Sequence, residues 1–166
     1  MTKKWYILQF KSNAHRQAVK NLNQQGFETF LPLQNVTMRK TSRFINVNRP
    51  LFPGYMFVTF DIADKKWVKI NHTLGVLRLI TFNSRLRSVP TSFMNDLISN
   101  FDLSGKLLQE KKLEKGDQVK ILNGPLANFI ATVKDLEADQ RISILMDLMG
   151  RETKIVTTSN NLQLSN

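Results

Sequence analysis

Fourteen of the 15 aromatic residues in this chain, and the whole of its net charge of +11, fall before residue 102. Residues 1–101 hold 15 Lys/Arg against 4 Asp/Glu, whereas residues 102–166 hold 9 of each. A partition this sharp divides the 166 residues into two units of different physical character. The first can bury an aromatic core and presents a cationic surface; the second is small and neutral. A cationic surface favours a polyanionic partner, nucleic acid first, because Lys and Arg displace counterions condensed on phosphates. Zero Cys excludes disulfides, zinc ribbons and thiol nucleophiles. The opening MTKKWYILQFK carries too short an apolar run for a secretory signal, and no window approaches the roughly 20 apolar residues of a membrane helix. A cytoplasmic protein without a membrane partner is expected.

Within the first unit, Trp5 to Phe10 is rich in β-formers and reads as a strand. Ala14, Ala18 and Leu22 then recur at helical spacing, predicting a helix over 14–25 that Gly26 closes. Its outer residues His15, Arg16, Gln17, Lys20, Asn21 and Gln24 include no acid. They form either an ordinary solvated face or a contact for phosphates and base edges, since amides and guanidinium groups can address both. A strand broken by Pro32 follows, then a basic hairpin tip, Arg39-Lys-Thr-Ser-Arg43, and a return over Phe44 to Val47.

The most aromatic segment is LFPGYMFVTF, Leu51 to Phe60, in which Tyr55, Phe57 and Thr59 alternate with Met56, Val58 and Phe60. Both faces of such a strand are apolar. It is either central in a covered sheet or presents one aromatic row to a partner. A short helix over Asp61 to His72, a strand over Val76 to Phe82 and a helix after Pro90, with Phe93, Leu97 and Ile98 on one side, complete the unit. The order β-α-β-β-β-α-β-α predicts an α+β fold, an antiparallel sheet flanked by helices.

We place the first domain at 1–101, a charged linker at 102–114 and a second domain at 115–166. The second contains short β-like runs, Gln118 to Leu122, Ile130 to Asp135, Arg141 to Met146 and Thr153 to Thr157, which suggest a small barrel. The same residues also fit a helix. Leu122, Leu126, Phe129, Ile130 and Val133 lie on one helical stripe, and Ile142, Leu145, Met146 and Met149 on another. Both periods fit, so pattern does not choose between a barrel and an α-hairpin.

Catalytic constellations are scarce. His15 and His72 are far apart, and HExxH, GxSxG and phosphate-cradling glycine loops are all missing. Asp61 and Asp64 are accounted for as capping carboxylates at a helix start. The expectation is a protein that is not an enzyme, with no metal site and no cofactor.

Two segments in order carry a resemblance: WYILQFKSNAHRQAVKNL leading to LFPGYMFVTF, and GDQVKILNGPLANFIATVKDL, which looks like a KOW motif. Together they resemble the NusG family of transcription elongation factors over essentially the whole chain. The resemblance implies an N-terminal NGN domain linked to a small KOW domain, the latter a β barrel or, in an autoinhibited state, an α-hairpin. The aromatic row and the Leu/Met-rich ILMDLMGRE look closest to the specialised RfaH-like antiterminators, while Gly150-Arg151 resembles the turn of the housekeeping factor.

The resemblance implies a division of labour among named positions. Phe52, Pro53, Tyr55 and Phe57, with Phe82 and Leu97 beside them, match a patch that binds the clamp helices of the largest RNA polymerase subunit. Lys11, Arg16, Gln17, Lys20, Asn21, Gln24 and Thr73 match a surface reading the non-template DNA strand; Leu74 stands where RfaH-like members place a basic residue. Leu126, Phe129, Val133, Leu145 and Met149 match a face that masks the polymerase patch or, once released, engages ribosomal protein S10. An ion pair closing the mask would need an acid near Arg49 to meet Arg141, so closure by apolar contact is implied. The factor would be a monomer that suppresses pausing and termination. The alternatives are a general elongation factor coupled to Rho and, from another class, a ribosome- or RNA-binding KOW protein.

Overall fold

The structure, a computed structural model, describes residues 2–101, Gly105 and residues 137–150. The KOW motif, the expected linker apart from Gly105, and the positions Leu126, Phe129 and Val133 lie outside the described residues.

Strand β1 (Lys4–Phe10) is central because it is apolar on both faces: Tyr6, Leu8 and Phe10 point one way, Trp5 and Ile7 the other. It pairs antiparallel with β5 (Tyr55–Phe60) on one side and β6 (Val76–Leu79) on the other. Strand β2 (Glu28–Phe30) pairs antiparallel with β5, giving the order β2-β5-β1-β6. Helix α1 (His15–Gln24) closes one face, burying Ala18 and Leu22 against Tyr6, Leu8, Met56 and Val58. Its approach is close. Gly75 has φ +94°, and a Cβ there would sit 2.7 Å from the Ala18 amide nitrogen. Only glycine fits that backbone and that gap.

The other face of the sheet is covered by α2 (Thr91–Ser99), which buries Phe93, Met94 and Leu97 against Ile7 and Phe57. Strands β3 (Leu33–Lys40) and β4 (Arg43–Pro50) form a separate two-stranded ribbon, turned at Thr41 with φ 55°. The α+β fold expected from sequence is the fold observed.

Three expectations need correction. The strand expected over Val76 to Phe82 is divided at Ile80, because Asn83 and Ser84 adopt left-handed backbone, φ 51° and 62°. They fold β7 (Thr81–Phe82) back on β8 (Arg85–Leu86), as a hairpin turn requires. The helix expected from Asp61 begins only at Lys65 and is a 3-10 helix, Lys65–His72. Asp64 caps as expected, accepting from the Lys66 amide at 3.2 Å, whereas Asp61 accepts from the Ala63 amide at 2.9 Å in the loop before the helix and does not cap it.

The third correction is the largest. Arg141 to Met146, expected as a barrel strand, lies inside helix α3 (Ala138–Gly150). Of the two periods the segment supports, the helical one wins because packing rewards it: Leu145, Leu148 and Met149 are buried in the cluster that holds Phe52, Phe57 and Leu97. Ser143 and Asp147 stay exposed. One arm of the α-hairpin alternative is therefore present, on the sheet face that β5 shares with α2.

Candidate functional site

The aromatic face of the sheet is built by alternation in β5. Tyr55 and Phe57 belong to the cluster beneath α2 and α3, while Met56, Val58 and Phe60 belong to the cluster beneath α1. Phe52 meets Phe57 edge-on at 6.1 Å, and Phe57 meets Phe93 at 6.4 Å. Of the six expected polymerase-contacting positions, Phe52, Phe57 and Leu97 are buried here, and Tyr55 and Phe82 are half-buried against the same cluster. Pro53 is not with them. It is exposed and lines a cleft with Lys11, Arg16 and Arg49.

Among the described residues, Arg141 ties helix α3 to this face. Arg141 Nη1 donates to Gln34 Oε1 at 2.8 Å and to the Leu51 carbonyl at 3.0 Å. Burial pulls the guanidinium pKa down from its usual value, and the neighbouring Glu137 opposes that shift. The acid sought near Arg49 is thus replaced by a neutral amide: Gln34 is the cross-strand partner of Arg49 in the ribbon. Gln34 was missed from sequence because a neutral acceptor leaves no mark in the charge pattern. Only the β3–β4 register reveals it.

The second surface is the outside of α1 and the turn before it. Lys11, Arg16, Gln17, Lys20 and Gln24 are exposed there, on one side of the sheet. Two expected members play another part. Thr73 is only 6% exposed, and its hydroxyl is used twice, accepting from Gln25 Nε2 and donating to the Lys69 carbonyl, both at 2.9 Å. Half-buried Asn21 donates from Nδ2 to the Leu74 carbonyl at 3.1 Å. These two tie the 73–75 loop to α1 and so hold the surface in shape; the placement of Thr73 as an open contact is corrected by its burial. Half-buried His15 packs near Phe10 with ring centroids 5.7 Å apart, and burial, with Arg16 beside it, lowers its pKa.

The structure is an α+β fold with an aromatic face under a distant helix and a cationic helix on the opposite side of the sheet. Residues 3–101 match the family model described as "NusG: Transcription termination factor nusG". The chain belongs to the NusG family. The "Transcription termination/antitermination protein NusG" of Staphylococcus carnosus is 29% identical over 167 residues, spanning 92% of this chain and 91% of that protein. The protein of the same name from Chlamydia trachomatis is 27% identical over 162 residues, spanning 92% and 89%. A solved structure described as "Domain interaction in Thermotoga maritima NusG" overlays 72% of this chain and 70% of its own at 21% identity and TM-score 0.42.

Proposed function

We propose that this chain is a transcription elongation and antitermination factor of the RfaH-like kind, kept off RNA polymerase by its own helix α3 until DNA recruits it. The observation that carries the reading is the burial of Leu145, Leu148 and Met149 among Phe52, Phe57 and Leu97. A strand apolar on both faces needs a cover on each. Here the second cover comes partly from a segment some 80 residues further along, which can leave without unpairing the sheet.

Once α3 leaves, Phe52, Tyr55, Phe57, Phe82 and Leu97 would dock on the clamp helices of the largest polymerase subunit, with Pro53 at the margin. Large aromatic side chains are the usual anchors of such interfaces. Preference for the closed clamp disfavours pausing and dissociation by differential affinity for the active state, with no covalent chemistry. Lys11, Arg16 and Lys20 would hold phosphates of the non-template strand while Gln17 and Gln24 address base edges, on a surface kept in shape by Asn21 and Thr73. The freed second domain would recruit ribosomal protein S10. A second reading is a general factor coupled to Rho, for which the support is that relatives matching 92% of the chain carry termination as well as antitermination in their names; genome-wide occupancy separates it, since a specialist sits on few operons.

Capture of RNA polymerase by the full chain, with and without a transcription bubble exposing the non-template strand, tests the proposal. Capture should require the bubble, and Tyr55→Ala should abolish it. Undiminished capture by folded Tyr55→Ala sinks the docking face; equal capture without the bubble sinks the mask.

A further inference from the structure

The β3–β4 ribbon is not used by any contact above except at its base. Residues 33–50 hold Arg39, Lys40, Arg43 and Arg49 and no acid. The register sorts its side chains cleanly. One face carries Val36, Met38, Ile45 and Val47, all half-buried. The opposite face is a ladder of cross-strand pairs, Asn35–Asn48, Thr37–Asn46 and Arg39–Phe44. The first two pairs are hydrogen-bonded at 3.2 and 2.9 Å. At the tip, Phe44 is 74% exposed, more than any other large apolar side chain given for the described residues. The phenyl ring stands in water opposite Arg39 at the end of the amide ladder, free to meet a partner's flat face.

The ribbon also continues the cationic surface of α1. Asn48, on the ladder face, lines two adjoining clefts, and His15 and Arg16 of α1 line both of them from the other side. Lys20 borders one cleft and Lys11 the other. From Asn48 to Phe44 the ladder face runs about 14 Å at strand rise. Cations thus line the clefts beside α1, and the amide ladder leads away from them to Phe44 and Arg39, while Lys40 and Arg43 pair on the ribbon's other face.

We propose that this path holds an unpaired DNA strand, its phosphates held by the cleft cations of α1 and by Arg39, and a base stacked on Phe44. Cationic tracks that end on exposed rings suit single strands, because an unstacked base offers its face to the ring whatever its identity. A paired base has that face covered by its neighbours in the duplex. The proposal extends the α1 reading given above and adds a sequence-tolerant anchor to it.

The test is titration of the full chain with fluorescent single-stranded, duplex and RNA oligonucleotides of one sequence, over a range of salt. Phe44→Ala should weaken single-stranded DNA about tenfold, with duplex affinity changed by less than about twofold, and Phe44→Trp should restore it. Replacing Arg39 by Ala should lower the slope of log affinity against log salt by about 0.7, the share of one phosphate contact on a single strand. Phe44 is exposed, so its variants test binding and not folding. If Phe44→Ala changes nothing while Arg16→Ala with Lys20→Ala weakens binding, the ribbon proposal falls and the α1 reading stands. If neither matters, both fall. Equal losses on duplex and single strand, or tighter binding of RNA than of DNA, would also overturn it.

Discussion

At the scale of single residues, a polar tie between α3 and the sheet face is Arg141 on Gln34 and the Leu51 carbonyl. A charge-assisted hydrogen bond of this kind is worth about 1.5–3 kcal/mol. Arg141→Ala should therefore raise amide exchange across 138–150 by about tenfold or more, while exchange in β1 and β5 stays slow. Gln34→Glu supplies the carboxylate that the sequence lacks there and should slow that exchange; Gln34→Ala with Arg141→Ala should cost less than the sum of the two. His15 gives a pH signature. Its pKa is lowered in the fold, so the unfolded chain binds the proton more readily. Its contribution is complete above the ordinary value of 6.5 and is lost as pH falls from there toward the depressed folded value. Urea unfolding at pH 7.5 and pH 5 should show this loss, and His15→Gln should remove it.

At the scale of elements, legibility followed the number of readings a segment allows. Trp5 to Phe10, Ala14 to Gln25 and the helix after Pro90 each fit one period, and each formed as expected. The strand at Val76 ran too long on paper because nothing in the residue types Asn83 and Ser84 announces two successive left-handed conformations. Residues 138–150 were illegible for a stronger reason: two periods fit, and a distant apolar face chose between them. The aromatic positions were legible as a set, and so was the α1 surface, but burial of Thr73 was not, since a hydroxyl bonded to Gln25 looks in sequence like any free threonine. Gly75 makes an element-scale prediction. Its φ of +94° and the 2.7 Å approach to Ala18 mean that Gly75→Ala must strain the loop or lift α1. A loss of about 1–3 kcal/mol by urea unfolding is expected, well above the effect of an exposed-loop change.

At the scale of the whole molecule, the proposed function makes α3 and polymerase competitors for one apolar surface, since the aromatic face cannot serve both at once. Truncating a buried leucine costs about 2–5 kcal/mol where the site cannot collapse. Leu145→Ala spends that cost on the covered state alone, because the sheet and α2 keep their own contacts when α3 is gone. Free and covered forms therefore shift by a large factor while residues 2–101 remain folded. Leu145→Ala should capture polymerase without a bubble, and Tyr55→Ala added to it should abolish that capture. On the proposed function, the released segment would need another way to bury Leu145, Leu148 and Met149, and the strand period that also fits Ile142, Ile144, Met146 and Leu148 offers one. Carbon chemical shifts over 138–150 should accordingly be helical in the intact chain and strand-like in residues 112–166 alone. Identical shifts in both would leave α3 a fixed cover, and the competition for the aromatic face would have to be settled without refolding.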